Sequence, residues 1–194
     1  MKNKILFLLL IIIYIFTPLI ILFNNKLYDI KFYILTILGI LIYIILKLFK
    51  IKNEDLGINK EYVVSLKRNV PLILVFVVII VISSILGLNK YNPNETMLFY
   101  VFYTFVSCPI QEFLYRGVFG YFERITKYKY LWVILSSICY SFVHIIYRDL
   151  LTCILTFIIG IIWYLLYRKD YNLSGVCLSH IVLGILTISL GIVN

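Results

Sequence analysis

Charge is scarce in this chain. Of its 194 residues only 14% are charged, and only 9 are acidic against 18 Lys and Arg. A soluble domain carries about 25% charged residues, so a soluble globular enzyme and a disordered tail are both excluded. Proline (4) and glycine (9) are few, and no repeat or low-complexity tract is visible, which excludes fibrous and linker-like classes. The four cysteines, Cys108, Cys139, Cys153 and Cys177, all fall inside apolar runs, and no two have metal-ligand spacing. They read as small buried hydrophobes in a reduced setting, not as a disulfide framework. No cleavable signal peptide is evident, because the first apolar run is ~19 residues long and lacks a small-residue cleavage site. Histidine is rarest among the chemistry-bearing types, with two copies.

Apolar sequence fills the rest. Hydrophobic residues make up 63% of the chain, with 17 Tyr and 14 Phe. A spanning helix needs ~20 mostly apolar residues. Seven such runs are predicted, at 5–23, 32–49, 71–89, 97–119, 130–147, 150–167 and 172–193. The fold class is therefore all-α, a polytopic membrane helix bundle of about seven transmembrane helices, in a single integral-membrane domain over 1–194. Tyr28, Tyr128, Tyr130, Tyr147 and Tyr167 lie near run ends, where an amphipathic ring suits the headgroup layer. The longest polar stretch, 50–70, is too short for a domain and reads as an interfacial segment with a helical turn or two.

The net charge of +9 is read against lipid and not against nucleic acid. Lys2 and Lys4, the 47–70 region, the 120–129 loop and the 168–169 loop hold thirteen basic residues. The alternate loops hold four, namely Lys26, Lys31, Lys90 and Arg148. The positive-inside rule places the N-terminus in the cytoplasm and the C-terminus, after seven spans, outside.

Four ionisable side chains remain within the spans: Glu112, Arg116, His144 and His180. An ionisable group in hydrocarbon costs ~3 kcal/mol or more and is a functional-site hypothesis by default. Glu112 and Arg116 are i and i+4 on one helix face, so the arginine can hold the carboxylate ionised. Pro109, just before them, removes a backbone hydrogen bond and predicts a kink. His144 closes a polar stripe of Ser137, Tyr140 and Ser141 on the fifth span. His180 shares its helix with Cys177, Gly184 and Thr187.

One carboxylate and two imidazoles suggest hydrolysis. Glu112 is the natural base for a water, with the histidines orienting that water, protonating the leaving amine or donating to an oxyanion. A serine triad is disfavoured because no acid is placed to orient either histidine. The competing chemistry is a Zn(II) site built from Glu112, His144 and His180. It would consume the only intramembrane carboxylate, so metal-independent glutamate chemistry is more economical. Depth is the difficulty. With the fourth span ending at 119, Glu112 lies ~10 Å from the cytoplasmic face at 1.5 Å per residue, while His144 lies near the outer end of the fifth. Levelling them requires the fourth helix to extend to about Arg124, or the fifth to tilt.

The stretch CPIQEFLYRGVFGYF resembles the first signature of the CPBP family. That family comprises the type II CAAX prenyl endopeptidases and the bacteriocin-processing and self-immunity (Abi) proteins. Its pattern is two adjacent Glu, three variable residues and Arg, here Gln111, Glu112 and Arg116 with Gly117 following. The second signature, an aromatic four residues before His, is matched by Tyr140 and His144. The third, His with Asn four positions on, reads His180 and Gly184. NEDLGI at 53–58 resembles the family's pre-core segment. The resemblance covers about 97–190 and fits the bacterial branch with degenerate motifs. It implies an intramembrane endopeptidase that cuts a peptide or membrane-anchored protein near the cytoplasmic face. It also implies that Glu112 takes the water-activating role lost at Gln111, and that Gly184 lacks the side-chain donor of the usual Asn. The alternative it implies is a catalytically inactive relative, acting in bacteriocin self-immunity or as a peptide- or protein-binding scaffold.

Overall fold

The computed structural model describes residues 2–87, 95–126 and 128–191. Lys90, Lys127 and Asn194, used above for the charge bias and the C-terminal side, lie outside the described residues. Among those residues the chain is all-helical: α1 (Lys2–Leu22), α2 (Asn25–Asp29), α3 (Lys31–Leu48), α4 (Tyr62–Ile85), α5 (Met97–Arg124), α6 (Lys129–Tyr147), α7 (Leu150–Tyr167) and α8 (Leu173–Ser189). Six of these helices are long and apolar enough to cross a membrane. The seventh apolar helix, α8, has 17 residues and is about 25 Å long at 1.5 Å per residue. Helices dominate because a backbone in hydrocarbon must satisfy its own polar groups. Ile, Leu and Val cover the outward faces, as with Leu8, Leu9 and Ile12 of α1 and Leu74, Val75 and Val78 of α4.

Two helix bounds differ from those expected. α4 begins at Tyr62, not 71, so half of the polar 50–70 segment is helical and Pro71 lies inside it. Lys67 and Arg68 ride on this first part, and Arg68 pairs with Asp170 at 2.8 Å. α5 runs on to Arg124, five residues beyond the expected end.

Polar caps mark the helix starts. Thr96 accepts from the Phe99 amide, Asp149 from those of Leu151 and Thr152, and Asn172 from that of Ser174. α5 carries two π-turns, Tyr103–Ser107 and Phe113–Gly117, flanking the Cys108–Glu112 stretch. The first precedes Pro109, and there the Cys108 amide reaches back five residues to the Tyr103 carbonyl. In the second, the Tyr14 hydroxyl donates to the Leu114 carbonyl at 2.9 Å, and Ser136 donates to that of Tyr115. Neighbouring helices thus bond to the irregular backbone, as the membrane interior requires.

α8 packs along α4, and α6 along α7. Phe7, Tyr14, Phe119, Phe122 and Trp132 tie α1, α5 and α6 together through ring contacts such as Phe122 on Trp132 at 5.8 Å. Residues 51–59 fold across the end of the bundle that holds the basic loops. Leu56 is fully buried there, and Gly57 turns the chain at φ 78°, with its carbonyl accepting from the Leu173 amide at 2.9 Å. Asn59 bonds Tyr171 and Asn172, and Arg124 bonds the Asp55 carbonyl.

Candidate functional site

Three helices bring the four intramembrane ionisable residues together. The Glu112 side chain is fully buried on α5, and its Oε1 accepts from His180 Nδ1 of α8 at 2.7 Å. Its Oε2 lies 3.2 Å from Arg116 Nε, one turn further along α5. A carboxylate only accepts, so His180 Nδ1 carries the proton, and Nε2 meets the Tyr140 hydroxyl of α6 at 3.3 Å. The Arg116 guanidinium, also fully buried, lies 4.2 Å over the Tyr140 ring and 5.2 Å from the Trp163 ring of α7. Trp163 stacks on His180 at 4.6 Å and donates to Ser179 at 2.9 Å. The result is one carboxylate between an arginine and an imidazole N–H, walled by aromatic faces.

His144 sits one turn beyond Tyr140, where α6 tightens into a 3₁₀ turn. Its Nδ1 donates to the Tyr140 carbonyl at 2.7 Å, which fixes the tautomer and leaves the lone pair on Nε2. The His144 and His180 rings lie 4.9 and 5.8 Å from the Tyr140 ring, respectively. Ser137 and Ser141 bond backbone carbonyls and serve helix packing.

A cavity of about 560 Å³ runs beside this network. Gln111, Tyr140, His144, His180, Tyr103 and Gly184 are among the residues that line it. Glu112 does not line it. The carboxylate is turned onto His180 and Arg116, and the adjacent Gln111 occupies the wall, its amide nitrogen donating to Ser107 at 2.9 Å. Adjacent residues diverge by ~100° around a helix, so only one of the two can reach the cavity. The cavity also extends toward the end of the bundle away from the basic loops, through Tyr28, Lys31, Glu95 and Tyr147. Residues 51–59 lie across the opposite end, bonded to Tyr171 and Leu173.

Among the described residues no three His, Cys, Asp or Glu side chains form a group able to hold a metal ion, and Glu112 Oε1 is taken by a protonated His180 nitrogen.

Gly184 has a clear structural reason. A Cβ built there would overlap the Tyr103 hydroxyl, so the tyrosine of α5 occupies the space of the missing Asn side chain. Tyr103 lies edge-on to His180 at 6.0 Å. Motif reading does not find it, because nothing in its sequence neighbourhood marks it. Trp163 does carry a signal: a tryptophan well inside an apolar run, away from the interfaces where this residue gathers. In the sequence Lys31 reads only as a loop charge.

Comparison with known proteins agrees with the motif reading. Residues 93–186 match the family model described as Rce1-like, type II CAAX prenyl endopeptidase. No curated protein and no solved structure matches the chain.

Proposed function

We propose that this chain hydrolyses a peptide bond of a peptide or membrane-anchored protein inside the bundle, without a resident metal. One observation carries the reading: Gln111, His144 and His180, from three helices, line a single cavity within an apolar bundle whose residues 93–186 match a CAAX-endopeptidase family model.

The chemistry is set by which atoms remain free to act. Gln111 cannot take a proton at neutral pH, and Glu112 is spent on His180 and Arg116. His144 Nε2 carries a lone pair beside the cavity, so it is the base. The Gln111 carboxamide oxygen orients the water. Its oxygen attacks the carbonyl carbon while one proton passes to His144 Nε2. The developing oxyanion takes a hydrogen bond from the Tyr103 hydroxyl. As the C–N bond breaks, His144 returns the proton to the leaving amine. Glu112 is a positioning residue that keeps His180 oriented, in the manner of a carboxylate behind a catalytic imidazole.

In orientation, the basic loops lie in the cytoplasm with the N-terminus, and the C-terminus lies outside. The test is a peptidase assay in liposomes. Wild type should cleave with or without chelator, and His144→Ala should not. Loss of cleavage on chelation would overturn the metal-free chemistry. Peptide binding without turnover in the wild type would replace hydrolysis with the non-catalytic scaffold or self-immunity role.

A further inference from the structure

A second concave feature lies on the outside of the bundle, apart from the cavity. A shallow groove of about 480 Å³ runs along the last turns of α7, lined by Ile162, Leu165, Leu166, Arg168 and Lys169. Spacings of 3 and 4 put Ile162, Leu165 and Leu166 on one helix face, and Lys169 follows a turn later. Leu165 is exposed, and Ile162 and Leu166 are half-buried, so an apolar strip leads to a lysine. From Ile162 to Lys169 it spans ~10 Å at 1.5 Å per residue. One leaflet has a hydrocarbon depth of ~15 Å, so the strip covers about two thirds of it.

The polar end of the groove is a junction of three helices. Arg168 Nε pairs with the buried Glu123 of α5 at 2.6 Å, and its guanidinium lies 5.4 Å from the Tyr130 ring of α6. Its charge also bears on the Tyr171 hydroxyl. Arg168 is thus a fixed cation with its acid already in place. Lys169 differs. It is exposed, and among the described residues no carboxylate pairs with its ammonium. The adjacent Asp170 is closed onto Arg68 at 2.8 Å. Lys129, also exposed, precedes Tyr130 and adds another positive charge. Tyr128 and Tyr130 are exposed here as well, and such rings gather at the headgroup layer. The groove therefore runs from hydrocarbon depth to a cationic end at headgroup depth. Because α7 spans the membrane, lipid is what covers its outward face, and an acyl chain matches the apolar strip. Charge then selects the headgroup. A phosphate is attracted to Lys169, whereas the ammonium of a zwitterionic headgroup is repelled by the same cations.

We propose that this groove binds one anionic phospholipid, with an acyl chain along Ile162, Leu165 and Leu166 and the phosphate on Lys169 beside Arg168. The lipid sits on the turn from which Arg168 reaches both Glu123 of α5 and Tyr130 of α6. The site is separate from the cavity and holds whatever reaction the cavity serves.

The test uses the full chain in vesicles of phosphatidylcholine and phosphatidylglycerol with identical acyl chains. Leu165→Trp places an indole on the exposed strip, and wild type, with Trp132 and Trp163 both buried, supplies the background. Quenching by brominated acyl chains, carried first on one lipid and then on the other, gives the relative binding constant at that spot. Phosphatidylglycerol should be favoured about fivefold, the increment for one basic residue near a membrane surface. Lys169→Gln in the same background should remove most of that preference, and the exposed position lets the variant fold as wild type does. Val78→Trp, on the outward face of α4, is the comparison site and should show no preference. Equal quenching by the two lipids at Leu165→Trp overturns the site. An unchanged ratio in Lys169→Gln also overturns it, because the selecting charge would lie elsewhere. The same preference at Val78→Trp overturns it too, since the net charge of the chain would then gather anionic lipid over the whole surface.

Discussion

Replacing Glu112 with Gln should cost fold stability as well as function, because among the described residues the carboxylate is the only anionic partner of two buried groups. Glu112 and Arg116 are both fully buried, with Nε 3.2 Å from Oε2. Neither Nη1 nor Nη2 of Arg116 has a hydrogen bond to another described residue, so its compensation is one carboxylate and the faces of Tyr140 and Trp163. Breaking a buried pair by removing one partner costs ~3–5 kcal/mol. A cation–π contact returns only ~2 kcal/mol when desolvated. Against a typical stability of ~5–15 kcal/mol, Glu112→Gln should be visibly less stable than wild type. Arg116→Met should cost less, since Glu112 keeps His180. The double variant Glu112→Gln/Arg116→Met should recover part of the loss, with a coupling of ~1–3 kcal/mol. The assay is reversible unfolding of the three variants in mixed micelles of increasing denaturing-detergent fraction. Additivity within ~0.5 kcal/mol would refute the buried-pair reasoning. It would mean that the guanidinium is compensated by something other than Glu112.

Three further outcomes are expected. His144→Ala should lower kcat by ~10²–10⁴ with the unfolding midpoint close to wild type, because the ring lines a cavity and is not packed in the core; unchanged kcat would remove His144 as the base. Gly184→Ala should cost ~1–3 kcal/mol from overpacking against Tyr103, and Tyr103→Leu should relieve that cost; an equally unstable double variant would show the clash to be elsewhere. Asp149 lies outside the spans, and hydrogen bonds from the Thr152 side chain and amide, then from the Leu151 amide, hold its carboxyl below the usual 3.8. A depressed folded value gives stability that is full above the unfolded value and is lost as pH falls through the folded one. Wild type should therefore lose stability in acid below about pH 4, and Asp149→Ala should lack that component; identical acid profiles would exclude the cap as its source.

Much of the bundle was legible in the sequence because apolar length alone specifies a membrane helix. The bounds that failed did so for stated reasons. Lys67 and Arg68 interrupt the apolar run before α4, yet a long cation at a helix end keeps its charge in water, so the helix starts nine residues earlier than expected. The four intramembrane ionisable residues were readable one by one, and they do converge. Which of Gln111 and Glu112 meets the cavity was not readable. A 3.6-residue period assumes a regular helix, and α5 carries π-turns on both sides of that dipeptide. Each adds a residue to a turn and rotates the helix face beyond it. Tyr103 was hidden for a related reason. Its place beside Gly184 depends on the packing of α5 on α8, a contact between residues 81 positions apart with no local signature.

The Gly184–Tyr103 pair bears on whether the site is maintained. Loss of a side chain in a close-packed interior leaves a void whose lining forfeits contacts. Here the space beside Gly184 is filled by a hydroxyl-bearing ring that also faces His180 and lines the cavity. A tyrosine hydroxyl is a donor, so it offers the same kind of hydrogen bond as an asparagine amide from the opposite helix. At Gln111 the change differs in kind, since a carboxamide keeps an acceptor but gives up proton affinity. In the proposed chemistry Tyr103 is then the oxyanion donor and Gln111 the water acceptor, while proton transfer falls to an imidazole. His144, with Nδ1 fixed on the Tyr140 carbonyl, is the residue whose tautomer suits that task.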